Sequence, residues 1–260
     1  MTTETPYVLR ALADGVLTLT LNRGERFNPL SEEMLTALQA ELDAARKDES
    51  VRVIVLAATG KAFCAGHDLK QMRACPSEEY YKTLFNQCSK LMLTVQQLPQ
   101  PVIARVQGIA TAAGCQLVAM CDLAVASSEA KFAVSGVNYG LFCSTPSVAL
   151  SRNISRKQAM EMLLTGEFID AATAKERGLV NRVVPPEQLD DEIAKLTASI
   201  LAKPAVAVAM GKQLFYKQLE MGIAAAYQLA GQTMACNMMD EAALEGVQAF
   251  IEKRAPAWKA

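Results

Sequence analysis

The chain has 260 residues, 51% hydrophobic and 20% charged, which suits a folded protein with one large core and a small appendage. Its 26 basic and 27 acidic residues leave a net charge of −1 without a basic cluster, which argues against nucleic-acid binding. Seven cysteines with no CxxC pair read as reduced thiols, a single histidine (His67) leaves zinc unsupported, and MTTETPYVLR carries no secretory signal. The reduced thiols lead to the expectation of a cytoplasmic chain, and no apolar run approaches the ~20 residues needed to cross a bilayer, so none is expected in the membrane.

The first predicted strand is Val16 to Leu21, alternating and β-branched. Asn22 to Leu30 reads as a polar loop. Ser31 is an N-cap signal, with Glu32 and Glu33 in the first helical turn and Met34, Leu35, Leu38 and Leu42 at helical spacing. Val51 to Ala57 is continuously apolar, as in a strand buried on both faces. A glycine-containing loop follows, then a helix from Ser77 to Leu98 ended by Pro99 and Pro101. Val102 to Val106 is the next strand, and Gly108 to Ala119 reads as a turn into a buried helix. Short strands are expected at 123–127 and 132–134, helices at 155–164 and 170–177 with Gly178 as a stop, and a strand at 179–184. From Pro186 onward the pattern is helical. The order strand, helix, strand, helix, strand predicts an α/β architecture with parallel pairing. The division expected is a core over residues 1–200 and a helical region over 201–260, whose Met-, Ala- and Leu-rich stretch from Ala205 to Met239 exceeds one buried stripe.

Two segments combine small residues with glycine after a strand: Lys61-Ala-Phe-Cys-Ala-Gly-His-Asp-Leu-Lys70 and Gly108-Ile-Ala-Thr-Ala-Ala-Gly-Cys-Gln-Leu117. Such segments let backbone N–H groups approach a ligand closely, and two amides aimed at one point make an oxyanion hole. Each segment taken alone is equally a tight turn where a helix packs on a strand. Neither matches a dinucleotide fingerprint or a P-loop.

Taken together, these segments resemble the crotonase (enoyl-CoA hydratase/isomerase) superfamily. The resemblance runs through Leu21-Asn22-Arg23, Asn28-Pro29-Leu30, Phe63 to Leu69, Pro101 to Ala104, Gly108 to Leu117, Cys121-Asp122-Leu123, Leu164-Thr-Gly166, Ala174 to Val180 and Gly246 to Arg254. A finer resemblance to one branch of the family lies in Ala112 to Leu117 and Gly136 to Pro146. The family resemblance implies a spiral of ββα units with C-terminal helices that drive assembly into a homotrimer or a dimer of trimers. It implies a fatty acyl-CoA thioester as the ligand, with coenzyme A belonging to the substrate and no separate cofactor. The thioester oxygen would meet the amides of His67 and Ala113, with Gly114 beside them. Ala65, Asp68 and Leu69 would line the adenine and pantetheine channel, and Arg23 and Lys253 would stand near the CoA phosphates. The family usually has glycine where this chain has Ala113, which is acceptable if φ there is ordinary.

Two departures bear on chemistry. The glutamates that handle water in hydratases fall on Gln116 and Gly136, neither of which transfers a proton as a carboxylate does. General acid–base groups are worth ~10²–10⁴-fold each. The resemblance therefore implies thioester activation with hydration impaired. A non-catalytic acyl-CoA-binding protein and a decarboxylase-type activity stand as alternatives. The decarboxylase reading shares Gly66-His67-Asp68, but the tyrosine expected there falls on Cys143. Asn138, Tyr139, Cys143 and Ser144 read as pocket lining, and Asp122 as structural.

Overall fold

The computed structural model describes residues 5–258. It opens with a hairpin absent from the sequence reading: β1 (Val8–Ala13) pairs antiparallel with β2 (Val16–Leu21). Asp14 and Gly15 form the turn, both at positive φ (49° and 79°), as a two-residue hairpin demands. α1 (Glu32–Ala45) starts at Ser31, whose hydroxyl accepts from the Met34 amide at 3.3 Å. Its Met34, Leu35, Leu38 and Leu42 are fully buried. β3 (Val53–Ala58) is buried along its whole length, as continuous apolarity predicts.

Next come β4 (Ala62–Cys64), α2 (Leu69–Ala74) and α3 (Glu78–Gln97), the last capped by the Ser77 hydroxyl. β5 (Val102–Val106), β6 (Ile109–Thr111) and α4 (Ala113–Met120) follow, then β7 (Leu123–Ser127) and β8 (Lys131–Ala133). A 3-10 turn at Ser135–Tyr139 leads to α5 (Ser144–Asn153), which the sequence reading lacked, and α6 (Arg156–Thr165). β9 (Ile169–Asp170), α7 (Ala171–Glu176), β10 (Arg182–Val184) and α8 (Leu189–Leu201) complete the core.

Two sheets result. The larger runs β1-β2-β3-β5-β7-β10, parallel beyond the hairpin, and the smaller runs β4-β6-β8-β9, with only β9 antiparallel. Three times the chain lays one strand in the larger sheet and the next in the smaller before a helix returns it. This is the spiral of ββα units that the resemblance implied. The larger sheet is covered on both faces: Ile54 and Leu56 of β3 join the main core, while Val53 and Val55 meet Leu189, Ile193 and Leu196 of α8.

The C-terminal helices are α9 (Ala205–Leu219), α10 (Ile223–Met238) and α11 (Glu241–Ile251). α9 is fastened to the core by one buried cation. Lys212 Nζ lies 2.7 Å from an Asp122 carboxylate oxygen and donates to the Val95 and Gln100 carbonyls, each at 2.9 Å. Asp122 in turn accepts from the Val102 amide (2.6 Å) and the Tyr216 hydroxyl (2.8 Å). The structural role expected of Asp122 is thus a clamp between β5 and α9. Burial holds the Lys212 ammonium below its usual pKa, with Asp122 opposing that shift. Among the described residues no single helix is long and apolar enough to cross a membrane.

A buried charge left without its partner is costly, about 3–5 kcal/mol. Lys212→Met is expected to lower unfolding stability by about that amount in urea titrations at fixed protein concentration. The exposed neighbour variant Lys217→Met should stay within about 0.5 kcal/mol of the parent.

Candidate functional site

An apolar cavity of about 170 Å³ opens between the two sheet-edge segments and α5. One wall is Ala65 and His67, from the loop after β4. The facing wall is Ala112 and Ala113, at the start of α4. Leu69 and Met72 of α2 and Phe85 of α3 close one side. Ser135, Gly136, Tyr139, Leu141, Phe142, Cys143, Ser144, Thr145 and Pro146 close the other. No Asp, Glu, Lys or Arg lines it.

The two glycine-containing segments meet backbone to backbone. Gly114 makes this possible: a Cβ there would lie 2.1 Å from the Cys64 carbonyl oxygen. Gly114 is a close-packing position under the cavity, not part of its lining. A Cβ on Gly66 would stand 2.9 Å from the Ala112 Cβ and 3.3 Å from the Ala113 nitrogen, which shows how near the two loops run. The backbone strain of this junction sits at Ala112, with φ 50° and ψ −121°. Non-glycine residues rarely adopt such a conformation, and it clusters at ligand sites. Ala113 itself has no positive φ, so the substitution of alanine for the family's usual glycine is compatible with the backbone. The amides of His67 and Ala113 have no acceptor among the described residues, whereas the flanking Ala112 amide donates to the Ala133 carbonyl at 3.0 Å.

His67 places its ring by a hydrogen bond from Nδ1 to the Leu30 carbonyl at 3.1 Å and by tilted packing on Phe85, centroids 5.6 Å apart. Burial lowers the imidazole's pKa, against a smaller raising effect of that hydrogen bond. Nε2 is buried without a partner. Gln116 is also buried, and its side-chain oxygen lacks a partner; it lies one turn beyond Ala113 on the same face of α4. Cys143 precedes α5, and its sulfur accepts from the Gly136 amide at 3.3 Å. Burial pushes this thiol up, with the Gly136 hydrogen bond opposing. A Cβ on Gly136 would stand 2.4 Å from the Leu141 carbonyl oxygen and 2.7 Å from the Cys143 sulfur. The space that a side chain at 136 needs is filled by the 136–143 loop itself.

The other expected positions lie elsewhere. Asp68 caps α2, accepting from the Lys70 and Gln71 amides, and pairs with Arg26 at 2.7 Å. Arg23 donates to the carbonyls of Thr5, Pro6 and Asn22 and stacks over the Tyr7 ring. Lys253 is exposed just past the end of α11, at φ 56°. Asn138 turns away from the cavity to the Gly166 carbonyl (3.4 Å), while Tyr139 and Ser144 line it. The sequence reading missed Met72, Phe85, Ser135, Leu141, Phe142, Thr145 and Pro146. The Tyr81–Phe85 stack and the Tyr81 hydroxyl on the Met72 carbonyl tie α3 to α2 over the cavity. These are tertiary contacts with no local sequence signature.

The profile of the enoyl-CoA hydratase/isomerase family matches residues 12–260. The enoyl-CoA hydratase domain-containing protein 3, mitochondrial, of Rattus norvegicus is 45% identical over 245 residues, which are 94% of this chain and 82% of that protein. Its Homo sapiens counterpart is 43% identical, covering 94% and 81%. These are the branch that the segments at 112–117 and 136–146 resembled. Both are named mitochondrial, as are the Mus musculus and Xenopus laevis relatives, and that overturns the expectation of a cytoplasmic chain. Among solved structures, an enoyl-CoA hydratase of Mycobacterium smegmatis superposes with a TM-score of 0.97 at 65% identity, covering 98% of this chain and 99% of that one. The human domain-containing protein 3 superposes at 0.94 and 42% identity, covering 97% and 100%. The spiral, the paired loops and the matched sequence together show that the chain belongs to the enoyl-CoA hydratase/isomerase family, the crotonases.

Proposed function

We propose that this protein binds acyl-CoA thioesters with the acyl group in the apolar cavity and the thioester oxygen between the amides of His67 and Ala113. The observation that carries the reading is that two residues whose backbone amides have no acceptor among the described residues, His67 and Ala113, both line a cavity with no charged side chain. Donors of this kind are worth about 3 kcal/mol each when charge develops on the oxygen, and backbone donors are indifferent to the changes at 116 and 136. Tyr139, Leu141, Phe142, Met72 and Phe85 offer the acyl chain an apolar surround.

Hydration is a different matter. Water must be deprotonated on one side and the α-carbon protonated, and no carboxylate lines the cavity. The protein is therefore a poor hydratase that keeps the thioester-polarising half of the machinery. The decarboxylase reading is disfavoured by the same lining, since a substrate carboxylate would be buried there with no cationic side chain to pair with it. A carboxylate cannot be restored at 136 by simple substitution, because the obstacle is steric and not a positive φ.

Assembly through the C-terminal helices belongs to the same proposal. Phe215, Leu219, Ile223, Tyr227, Met234, Leu244 and Phe250 are exposed on α9, α10 and α11, and large exposed apolar surfaces mark interfaces. A trimer or its doubled form would cover them.

Isothermal titration with butyryl-CoA is expected to give a dissociation constant of about micromolar order, near −8 kcal/mol; no heat and no competition at millimolar ligand would remove the acyl-CoA reading. Crotonyl-CoA hydration should fall short of an ordinary hydratase by at least ~10²–10⁴-fold, the worth of one lost acid–base group, and tens of turnovers per second would contradict the argument. Gly136→Ala should lower stability by ~1–3 kcal/mol through overpacking, read as a lowered thermal midpoint. Light scattering at micromolar concentration should return three or six times the 28.0 kDa chain mass, and a monomer mass would refute the assembly.

A further inference from the structure

We propose that the His67 imidazole is the proton acceptor of this site, and that the protein catalyses reversible removal of the α-hydrogen of a bound saturated acyl thioester through Nε2. The inference rests on the acyl-CoA reading above and goes beyond it, because it gives the site a reaction that needs neither glutamate.

The tautomer follows from the geometry. Nδ1 lies 3.1 Å from the Leu30 carbonyl oxygen, which has no proton to give, so Nδ1 carries the hydrogen. Nε2 is then a bare lone pair, and it is buried without a partner. An unpaired buried polar atom costs stability and calls for a reason. The anchoring of the ring is already accounted for by Nδ1 and by Phe85, so Nε2 is free for other use. His67 lines the cavity, and its own amide is one of the two proposed donors to the thioester oxygen. The α-carbon is bonded to the carbonyl carbon, so a thioester held at that amide carries its α-hydrogens into the cavity that His67 lines. The other protic side chains of the lining are the hydroxyls of Ser135, Tyr139, Ser144 and Thr145 and the thiol of Cys143, which in their neutral forms are far weaker bases than an imidazole. Burial favours the neutral imidazole, the form that accepts a proton.

The step balances without a co-reactant. Nε2 takes the α-proton, and the C–H pair becomes the carbon–carbon π bond of an enolate. The carbonyl π pair moves to oxygen, between the His67 and Ala113 amides. The imidazolium, after exchange with solvent, returns a proton to the α-carbon.

The test uses untagged full-length protein with butyryl-CoA in deuterium oxide and mass spectrometry of the recovered thioester. The parent should incorporate deuterium at the α-carbon well above the protein-free rate. His67→Asn is the informative variant, since its amide nitrogen can still donate to the Leu30 carbonyl while Nε2 is gone. With butyryl-CoA at a concentration that calorimetry shows to saturate the variant, it should exchange ~10²–10⁴-fold more slowly than the saturated parent. Because His67 is the only histidine, nitrogen-15 histidine labelling gives a second readout on the unaltered protein. Nε2 should appear as the unprotonated ring nitrogen and shift when butyryl-CoA binds. Binding without exchange in the parent, exchange at the parental rate in folded His67→Asn, or a protonated Nε2 would each overturn the proposal. Failure of the parent to bind butyryl-CoA would instead bring down the acyl-CoA reading, and this one with it.

Discussion

The site depends on one contact made without side chains: the approach of the β4 segment to the turn into α4. A single methyl group at Gly114 would stand 2.1 Å from the Cys64 carbonyl oxygen, so only glycine lets α4 begin where it does. That start brings the α4 N-terminus, with the Ala113 amide, against the β4 segment through backbone packing and not through flexible side chains. The strained torsion at Ala112 belongs to the same junction. Strain of about 1–3 kcal/mol persists only where the surroundings over-determine it, and here β6 pairs on both sides with β4 and β8.

From this junction the rest of the chemistry follows by subtraction. Backbone donors do not depend on side-chain identity, so in the proposed reading a chain without the two side-chain acids keeps its means of polarising a carbonyl. At 136 the acid is not merely absent, since the Cys143 sulfur and the Leu141 carbonyl occupy the room a side chain would need. At 116 the shape is nearly kept and the charge removed, which leaves a buried amide oxygen with no partner. The two departures are thus physically unlike. One is isosteric, and the other goes with a loop that has closed in.

Much of this was legible in the chain. Ser31 acts as the cap its side chain predicts, the helix expected from Ser77 starts there, and the unbroken apolarity of β3 marked a doubly covered strand. The contiguous loop Ala65 to Leu69 announced one wall of the cavity because neighbours in sequence are neighbours there. Of the smaller sheet, β8 was legible as the strand expected at 132–134, whereas β4 and β6 have three residues each, too few to display an alternation. The hairpin of β1 carried a signal, Asp14-Gly15, that was passed over because β1 is mostly exposed and lacks an apolar face. α5 opens with Ser144-Thr145-Pro146, which reads equally as a loop. Phe85 and Met72 could not be foreseen, since periodicity says that a helix face is buried and not which cavity it borders. The Arg23 guanidinium meets three backbone carbonyls and an aromatic ring, contacts that the local sequence does not announce.

The central claim is that two backbone amides, those of His67 and Ala113, hold the thioester oxygen. The most direct measurement is difference infrared spectroscopy of butyryl-CoA carrying carbon-13 at the thioester carbonyl, free and bound to the protein. Hydrogen bonds from both amides polarise the carbonyl and weaken its double bond, so the band should move to lower frequency on binding. A bound ligand whose carbonyl band stays at its solution position would contradict the account.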